Sequence, residues 1–440
     1  MIAVLKNSDT DFETNFKALL ARGAMDIESV EGRVKELLEE IKTQGQSAIL
    51  AQVARFDNWN PANFAELKIT QEQMQKAYET LDKPLKDSLQ LAYERIYAFH
   101  SKQKPKTWLD FEENGNILGQ KVTPMDRAGL YIPGGKAAYP SSLLMNAIPA
   151  IVAGVQEIVV CTPTPHNEPN ALLLAAMFLC GIKEAYKIGG ASAIGALAFG
   201  AQNSQGEGIA KVDVITGPGN IYVATAKKLV FGEVHIDMIA GPSEIGILND
   251  GEAKADYLAW DLLSQAEHDE MASSILITTN ESLAHEVAQK IEELLPTLPR
   301  REITAKSINE RGAIIVVKDI QEGIALMNQI APEHLELLVK NPLEILPCIK
   351  HAGAIFIGEN TPEPIGDYIA GPNHTLPTGG SAKFFSPLST EHFMKKSSII
   401  AFSQKGIKQM GAECGILAHT EGLDAHQNAV LARLKSYKES

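Results

Sequence analysis

The chain has 440 residues, 45% hydrophobic and 21% charged, which is globular composition with enough apolar side chains for a sizeable core spread over two or more domains. A formal net charge of −14 repels nucleic acid and anionic membrane surfaces, so neither is expected as a partner. Residues 1–12 lack the basic start and apolar run of an export signal, and the longest apolar stretch, 143–161, is broken by Asn146, Pro149, Gln156 and Glu157. The cysteines Cys161, Cys180, Cys348 and Cys414 are scattered without metal-knuckle spacing. The expectation is a cytoplasmic protein without a membrane span, its thiols reduced and serving as small core residues.

Over the first 110 residues apolar positions recur at helical spacing, as with Val30, Val34, Leu37, Leu38 and Ile41 in 27–42, and again over 72–99. From Ala128 the texture changes to short β-rich runs at 129–133, 157–161, 185–189 and 212–216, each followed by glycine or proline and then a helical pattern. A second such series runs through 274–278, 312–317 and 354–358, with helical stretches at 283–295 and 321–329. Alternation of this kind predicts βαβ units on parallel sheets, so the fold class is α/β with two domains. The terminal helical stretch 422–438 has little core of its own and is expected to pack on another domain or subunit. The sequence has no internal repeat and no low-complexity tract.

Three glycine-rich turns follow predicted strands, at 131–135, 188–192 and 216–222. Glycine there lets a phosphate approach the backbone and the N–H groups of the next helix, although each turn alone also reads as plain loop geometry. No strict GxGxxG occurs, so any dinucleotide must bind in an atypical mode. In 261–269 a helical reading sets Gln265 and His268 on one face. Alone such a histidine is more often a structural residue, because glutamine is an uncommon zinc ligand. Asp367 and His426 are candidate partners, and the set would suit zinc or manganese. In Ala-Pro-Glu-His-Leu-Glu at 331–336, Glu333 and His334 stand side by side at an expected helix start, able to move protons near neutral pH or simply to cap the helix.

Together these stretches resemble the histidinol dehydrogenase family from about Ile27 to Ala432. The resemblance rests on Ser-Gln-Ala-Glu-His-Asp at 264–269, Ala-Pro-Glu-His-Leu-Glu at 331–336, Gly-Asp-Tyr at 366–368, Pro-Asn-His-Thr-Leu-Pro-Thr at 372–378 and Gly-Leu-Asp-Ala-His at 422–426, in the family's order. Ile-Asp-Met-Ile-Ala-Gly-Pro-Ser-Glu at 236–244 and the Tyr-Ile-Pro-Gly-Gly and Gly-Pro-Gly-Asn turns agree with it.

The resemblance implies that Gln265, His268, Asp367 and His426 bind one zinc ion, which orients substrate more than it activates water. It implies substrate contacts from Ser243, Glu333, His334, His374 and Glu421 together with the metal ligands, and nucleotide contacts from Tyr131, Ser192 and Asn220. The implied reaction is a two-step, NAD-dependent oxidation of L-histidinol through bound L-histidinal to L-histidine, the last step of histidine biosynthesis. His334 would be the general base, and Glu333 would activate the water that attacks the aldehyde. No cysteine is needed. The family departs from this chain where it commonly has Gln and Ser192 stands here, so the shorter hydroxyl is expected to reach the nucleotide through water.

Family members are homodimers built from incomplete Rossmann-like domains of the aldehyde-dehydrogenase kind, with small terminal extensions. The domain plan implied is an N-terminal arm at 1–22, a first α/β domain of 23–127 plus 242–380 carrying most metal and catalytic residues, a nucleotide-binding α/β domain at 128–241, and a C-terminal extension at 381–440 that reaches the partner's site. A zinc hydrolase acting on an imidazole or amino-acid derivative is the alternative, and a non-catalytic scaffold is a third reading that the intact Glu333-His334 pair opposes.

Overall fold

The computed structural model describes residues 2–21, 25–134 and 139–437, so Gly135 of the first glycine turn and Lys438 of the terminal stretch lie outside the described residues. The chain divides into two compact units, one of residues 1–103 and 126–393, the other of 104–125 and 394–440.

The larger unit contains two six-stranded sheets. The first runs, in spatial order, Ala3–Lys6, Ala313–Val316, Ser273–Thr278, Glu244–Asn249, His334–Leu338 and Ala354–Ile357, with every pairing parallel. The second runs His235–Ile236, Val214–Thr216, Arg127–Tyr131, Glu157–Thr162, Glu184–Lys187 and Lys68–Ile69, and only the last pairing is antiparallel. Strands such as Ser273–Thr278 are buried at every position, as parallel strands covered by helices on both faces must be.

Residues 28–56 form two helices, Glu28–Gln44 and Gln46–Phe56, whose apolar faces share a core with Tyr131 and Val159 of the second sheet and with Ile194 of the helix Gly190–Phe199. They therefore serve the sheet of residues 127–236, although the sequence plan groups 23–127 with 242–380. The N-terminal arm also has a structural role: Ala3–Lys6 pairs with Ala313–Val316, and Phe12 and Phe16 join a core with Ile315 and Met327. The run 72–99 is two helices, Gln71–Thr80 and Lys83–Gln103. Leu81 is extended and Pro84 opens the second, since proline fits a first helical turn and not an interior.

The apolar stretch 143–161 is a buried helix, Pro140–Ala153, followed by the strand Glu157–Thr162, and no described helix is long and apolar enough to cross a membrane. Cys161 and Cys180 are buried as expected, with burial pushing both thiols above their ordinary pKa. Cys348 and Cys414 are exposed, contrary to the expectation that all four are core residues, because the short turn Leu346–Cys348 buries nothing and Cys414 lies on an outward position of its helix.

In the smaller unit Met394–Ala401 pairs antiparallel with Ile117–Pro124, which pairs with Trp108–Phe111. Its helices Gln404–Thr420 and Asp424–Ser436 form a hairpin in which Gly411 lies against Val430 and Leu434. The second helix buries no residue.

Candidate active site

The acid–imidazole pair sits where two parallel strands begin. Glu244–Asn249 and His334–Leu338 run side by side with Ile245 opposite His334, so Glu244 and Glu333 are brought together just before that register position. The Glu244 N–H donates to Glu333 Oε2 at 2.9 Å, and His334 Nδ1 lies 3.1 Å from the Glu244 carbonyl oxygen. A carbonyl only accepts, so Nδ1 carries a proton and Nε2 is the free lone pair of the neutral ring. Nε2 is 3.5 Å from Asp367 Oδ1. The helical turn that carries Asp367, Gly366–Ala370, is held by Arg95, which donates to the Ile369 and Ala370 carbonyls at 2.6 and 3.1 Å. His374 Nδ1 is 3.1 Å from the Asp367 carbonyl.

Gln265 ends the helix Ala255–Ala266 and His268 follows its cap, with Gln265 Nε2 and His268 Nδ1 3.2 Å apart. Ligand atoms of His268, Glu363 and Asp367 all lie within 4.8 Å of one another. Buried Gln265 Oε1, His334 Nε2, Glu363 Oε1 and Asp367 Oδ1 have no hydrogen-bond partner among the described residues. Leaving a buried acceptor unpaired costs about 1–3 kcal/mol each. Several converging on one point are therefore a donor set of nitrogen and oxygen waiting for a cation, and zinc fits it.

Electrostatics lead to the same reading. Burial pushes Glu333 and Glu363 up to about 8, Glu244 to about 7 and Asp261 to about 6, while Glu336 is driven well above its ordinary value by burial and by Asp261 beside it. Burial opposes a charge on His334, but Glu333 and Asp367 outweigh it and hold the imidazole at about 10. Burial likewise opposes a charge on Asp367, yet His334 and His374 keep its carboxyl well below the usual carboxylate range. The cluster is thus rich in carboxyls and short of positive charge. A cation beside Asp367 would take over the compensation His334 now provides and free the imidazole to accept a proton.

A second candidate site lies at the carboxyl ends of the other sheet. The chain runs outward from Arg127–Tyr131 to one side and returns to add Val214–Thr216 on the other, and the crevice at such a switch point is where open α/β sheets bind ligands. A cavity of about 420 Å³ is there, lined among others by Asp57, Tyr131, Gly190, Ser192, Asn220 and Tyr222. Asn220 caps the helix Ile221–Val230, its Oδ1 accepting from the Tyr222 and Val223 N–H groups. The Tyr131 hydroxyl accepts from the Gly190 N–H at 3.3 Å, and burial raises it to about 12. The Ser192 hydroxyl is turned to buried Gln52, donating to its Oε1 at 2.6 Å.

Burial raises Asp57 to about 6. A carboxyl whose folded pKa exceeds its unfolded one near 3.9 adds nothing against folding below the unfolded value, and costs stability as pH rises through the folded one. Asp57→Asn is accordingly expected to stabilise the protein by about 1–2 kcal/mol at pH 8, allowing for solvent screening, with the gain gone below about pH 4. Urea denaturation at the two pH values checks this, and an equal gain at both would contradict it.

Of the residues singled out by sequence, Gln265, His268, Glu333, His334, Asp367 and His374 are brought into one cluster. Ser243 stands immediately before the Glu244 strand, its carbonyl accepting from Ser273. Tyr131, Ser192 and Asn220 share the cavity. Glu421 and His426 belong to the smaller unit and are exposed. Sequence reasoning missed Glu363, which is 1% exposed and lies with His268 and Asp367 in the group able to hold a cation. Its spacing of four from Asp367 was the available signal. It also missed the supporting carboxyls Glu244, Glu336 and Asp261.

One parallel and one largely parallel sheet, an acid–imidazole cluster around a cation-ready donor set and a cavity at a switch point define an enzyme of the α/β class. A family model described as histidinol dehydrogenase matches residues 20–434. Histidinol dehydrogenase of Wolinella succinogenes is 67% identical over 430 residues, covering 98% of each chain, and that of Sulfurimonas denitrificans is 62% identical over 428 residues, covering 97% of this chain and 98% of its own. The crystal structure of histidinol dehydrogenase from Elizabethkingia anophelis superposes with a TM-score of 0.92 at 35% identity, with 99% of both chains covered. The chain belongs to the histidinol dehydrogenase family, oxidoreductases of histidine biosynthesis.

Proposed function

We propose that the protein is a zinc-dependent, cytoplasmic homodimer that oxidises L-histidinol to L-histidine through bound L-histidinal, with two NAD consumed per turn. The single observation that carries the reading is His334, beside Glu333, with its Nε2 3.5 Å from Asp367 inside a buried group of unpaired acceptors. Gln265, His268 and Asp367 would hold the zinc, together with His426 from a second copy of the chain, and Glu363 stands within reach of the same point. Zinc, when bound, supplies a Lewis-acidic anchor for the imidazole and amino nitrogens of the substrate. NAD, when bound in the cavity beside Tyr131, Ser192 and Asn220, accepts the hydride of each oxidation.

The chain's own residues do the rest. The Glu244 carbonyl fixes Nδ1–H of His334 and leaves Nε2 to take the alcohol proton. Glu333, oriented by the Glu244 N–H, takes a proton from the water that adds to the aldehyde, and His334, having released the alcohol proton to solvent, then accepts the hydrate's proton. Ser243 and His374 would line the substrate, together with Glu421 from a second copy of the chain. The burial of Glu333 and His334, at 6% and 3% exposed, keeps the aldehyde from bulk water.

The shared site is tested by mixing subunits. His426→Ala and His334→Asn homodimers should each form almost no NADH from L-histidinol, whereas heterodimers should regain about a quarter to a half of wild-type activity per dimer, because one of two composite sites is intact. Well-formed heterodimers as inactive as their parents would remove the second copy from the site. Consumption of an imidazole substrate without NAD would favour the hydrolase.

A further inference from the structure

Two buried charged residues take no part in this mechanism. Lys227, in the helix Ile221–Val230, is 2% exposed, and Asp237, just past the strand His235–Ile236, is 4% exposed. They form an ion pair. Lys227 Nζ also donates to the Gly217 carbonyl at 2.9 Å, while Asp237 Oδ2 accepts from the Gly217 N–H at 2.8 Å and Oδ1 from the Met238 N–H at 2.6 Å. One peptide residue is thus gripped at both its donor and its acceptor by the two halves of the pair. Replacing a buried pair by apolar groups is often neutral or stabilising, so stability alone gives no reason for this one.

The gripped residue explains the arrangement. Gly217 has φ +122°, and a Cβ there would lie 1.9 Å from the Tyr131 carbonyl oxygen, so the turn is pressed directly on the backbone of Tyr131. Three residues on, Asn220 caps the helix that carries Lys227. The Tyr131 hydroxyl in turn meets the Gly190 N–H. A shift of Gly217 therefore moves Tyr131 and Asn220, both of which line the 420 Å³ cavity, although neither Lys227 nor Asp237 does.

We infer that the Lys227–Asp237 pair is the positioning element of the nucleotide cradle, clamping Gly217 and so setting NAD affinity without touching NAD. The inference rests on the cavity being the nucleotide site. Asp237→Asn removes the charge while keeping the shape, and is expected to raise KM for NAD about tenfold, the cost of one weakened charge-assisted contact. KM for L-histidinol and bound zinc should stay within about twofold of wild type. Because Asp237→Asn strands the Lys227 ammonium and risks unfolding, Lys227→Met combined with Asp237→Asn is measured beside it. With no buried charge left, the double variant should fold and still show the NAD-selective rise. A folded variant with unchanged KM for NAD, whatever its Tm, overturns the inference, as does an equal rise in both KM values. Asn220→Ala and Tyr131→Phe separate the premises. If they leave KM for NAD unchanged the cavity is not the nucleotide site, and if they raise it while the pair variants do not, only the clamp fails.

Discussion

His334→Asn is expected to slow NADH formation from L-histidinol by about 10³-fold or more, near the upper range for loss of a general base. Asparagine retains a donor toward the Glu244 carbonyl, so the strand edge keeps its register, but it offers no basic nitrogen facing Asp367. Both oxidations need that nitrogen, so the loss falls on kcat rather than KM. Zinc content should remain at one per subunit. A loss of less than about tenfold with full zinc would assign the base elsewhere.

Removal of zinc should have an effect at least as large. Chelation, or His268→Ala, is expected to reduce turnover by about 10³-fold or more, through loss of substrate anchoring and through the charge balance of the cluster. Without the cation Glu333 and Asp367 hold the His334 imidazole at about 10, so it is already protonated and cannot act as a base. The metal should also stabilise the fold by mass action, by about 4 kcal/mol at a thousandfold excess over Kd. Calorimetry on stripped and reloaded protein reads this directly. Full activity after metal analysis has verified complete stripping would break the account.

The β-rich runs of the second sheet were legible because Glu157-Ile-Val-Val-Cys and its counterparts combine β-branched residues with a following turn. Two neighbouring strands of the first sheet, Glu244–Asn249 and His334–Leu338, were not. Ala-Pro-Glu-His-Leu-Glu reads as a helix start, with proline ahead of an acid. The structure makes it a helix exit: Ile320–Ile330 ends at Ala331 in a left-handed conformation, φ +51°, and His334–Leu338 is a strand. Local sequence could not reveal this, because whether a Pro-Glu step opens or leaves a helix depends on Ile245 waiting opposite His334.

The location of the acid–base site was equally hidden. Parallel sheets usually bind ligands at the carboxyl ends of their strands, which is where the second sheet carries its cavity. In the first sheet the carboxyl end at the switch point is plugged: Asn249 donates to the Leu338 carbonyl at 2.6 Å and accepts from the Gly251 N–H. The acid–imidazole cluster lies at the amino ends instead, where Glu244, Glu333 and His334 meet. Residue types and motif order pointed to Gln265, His268 and Asp367, whereas Glu363 emerged from geometry, since its spacing of four from Asp367 is a weak mark for an acid between two prolines.

The most direct measurement is the number of NADH formed per L-histidinol consumed by zinc-loaded protein at completion. The account requires two, since His334 and Glu333 serve one site that carries the alcohol past the aldehyde to the acid. A ratio of one with free aldehyde released, or no NADH at all, would contradict it.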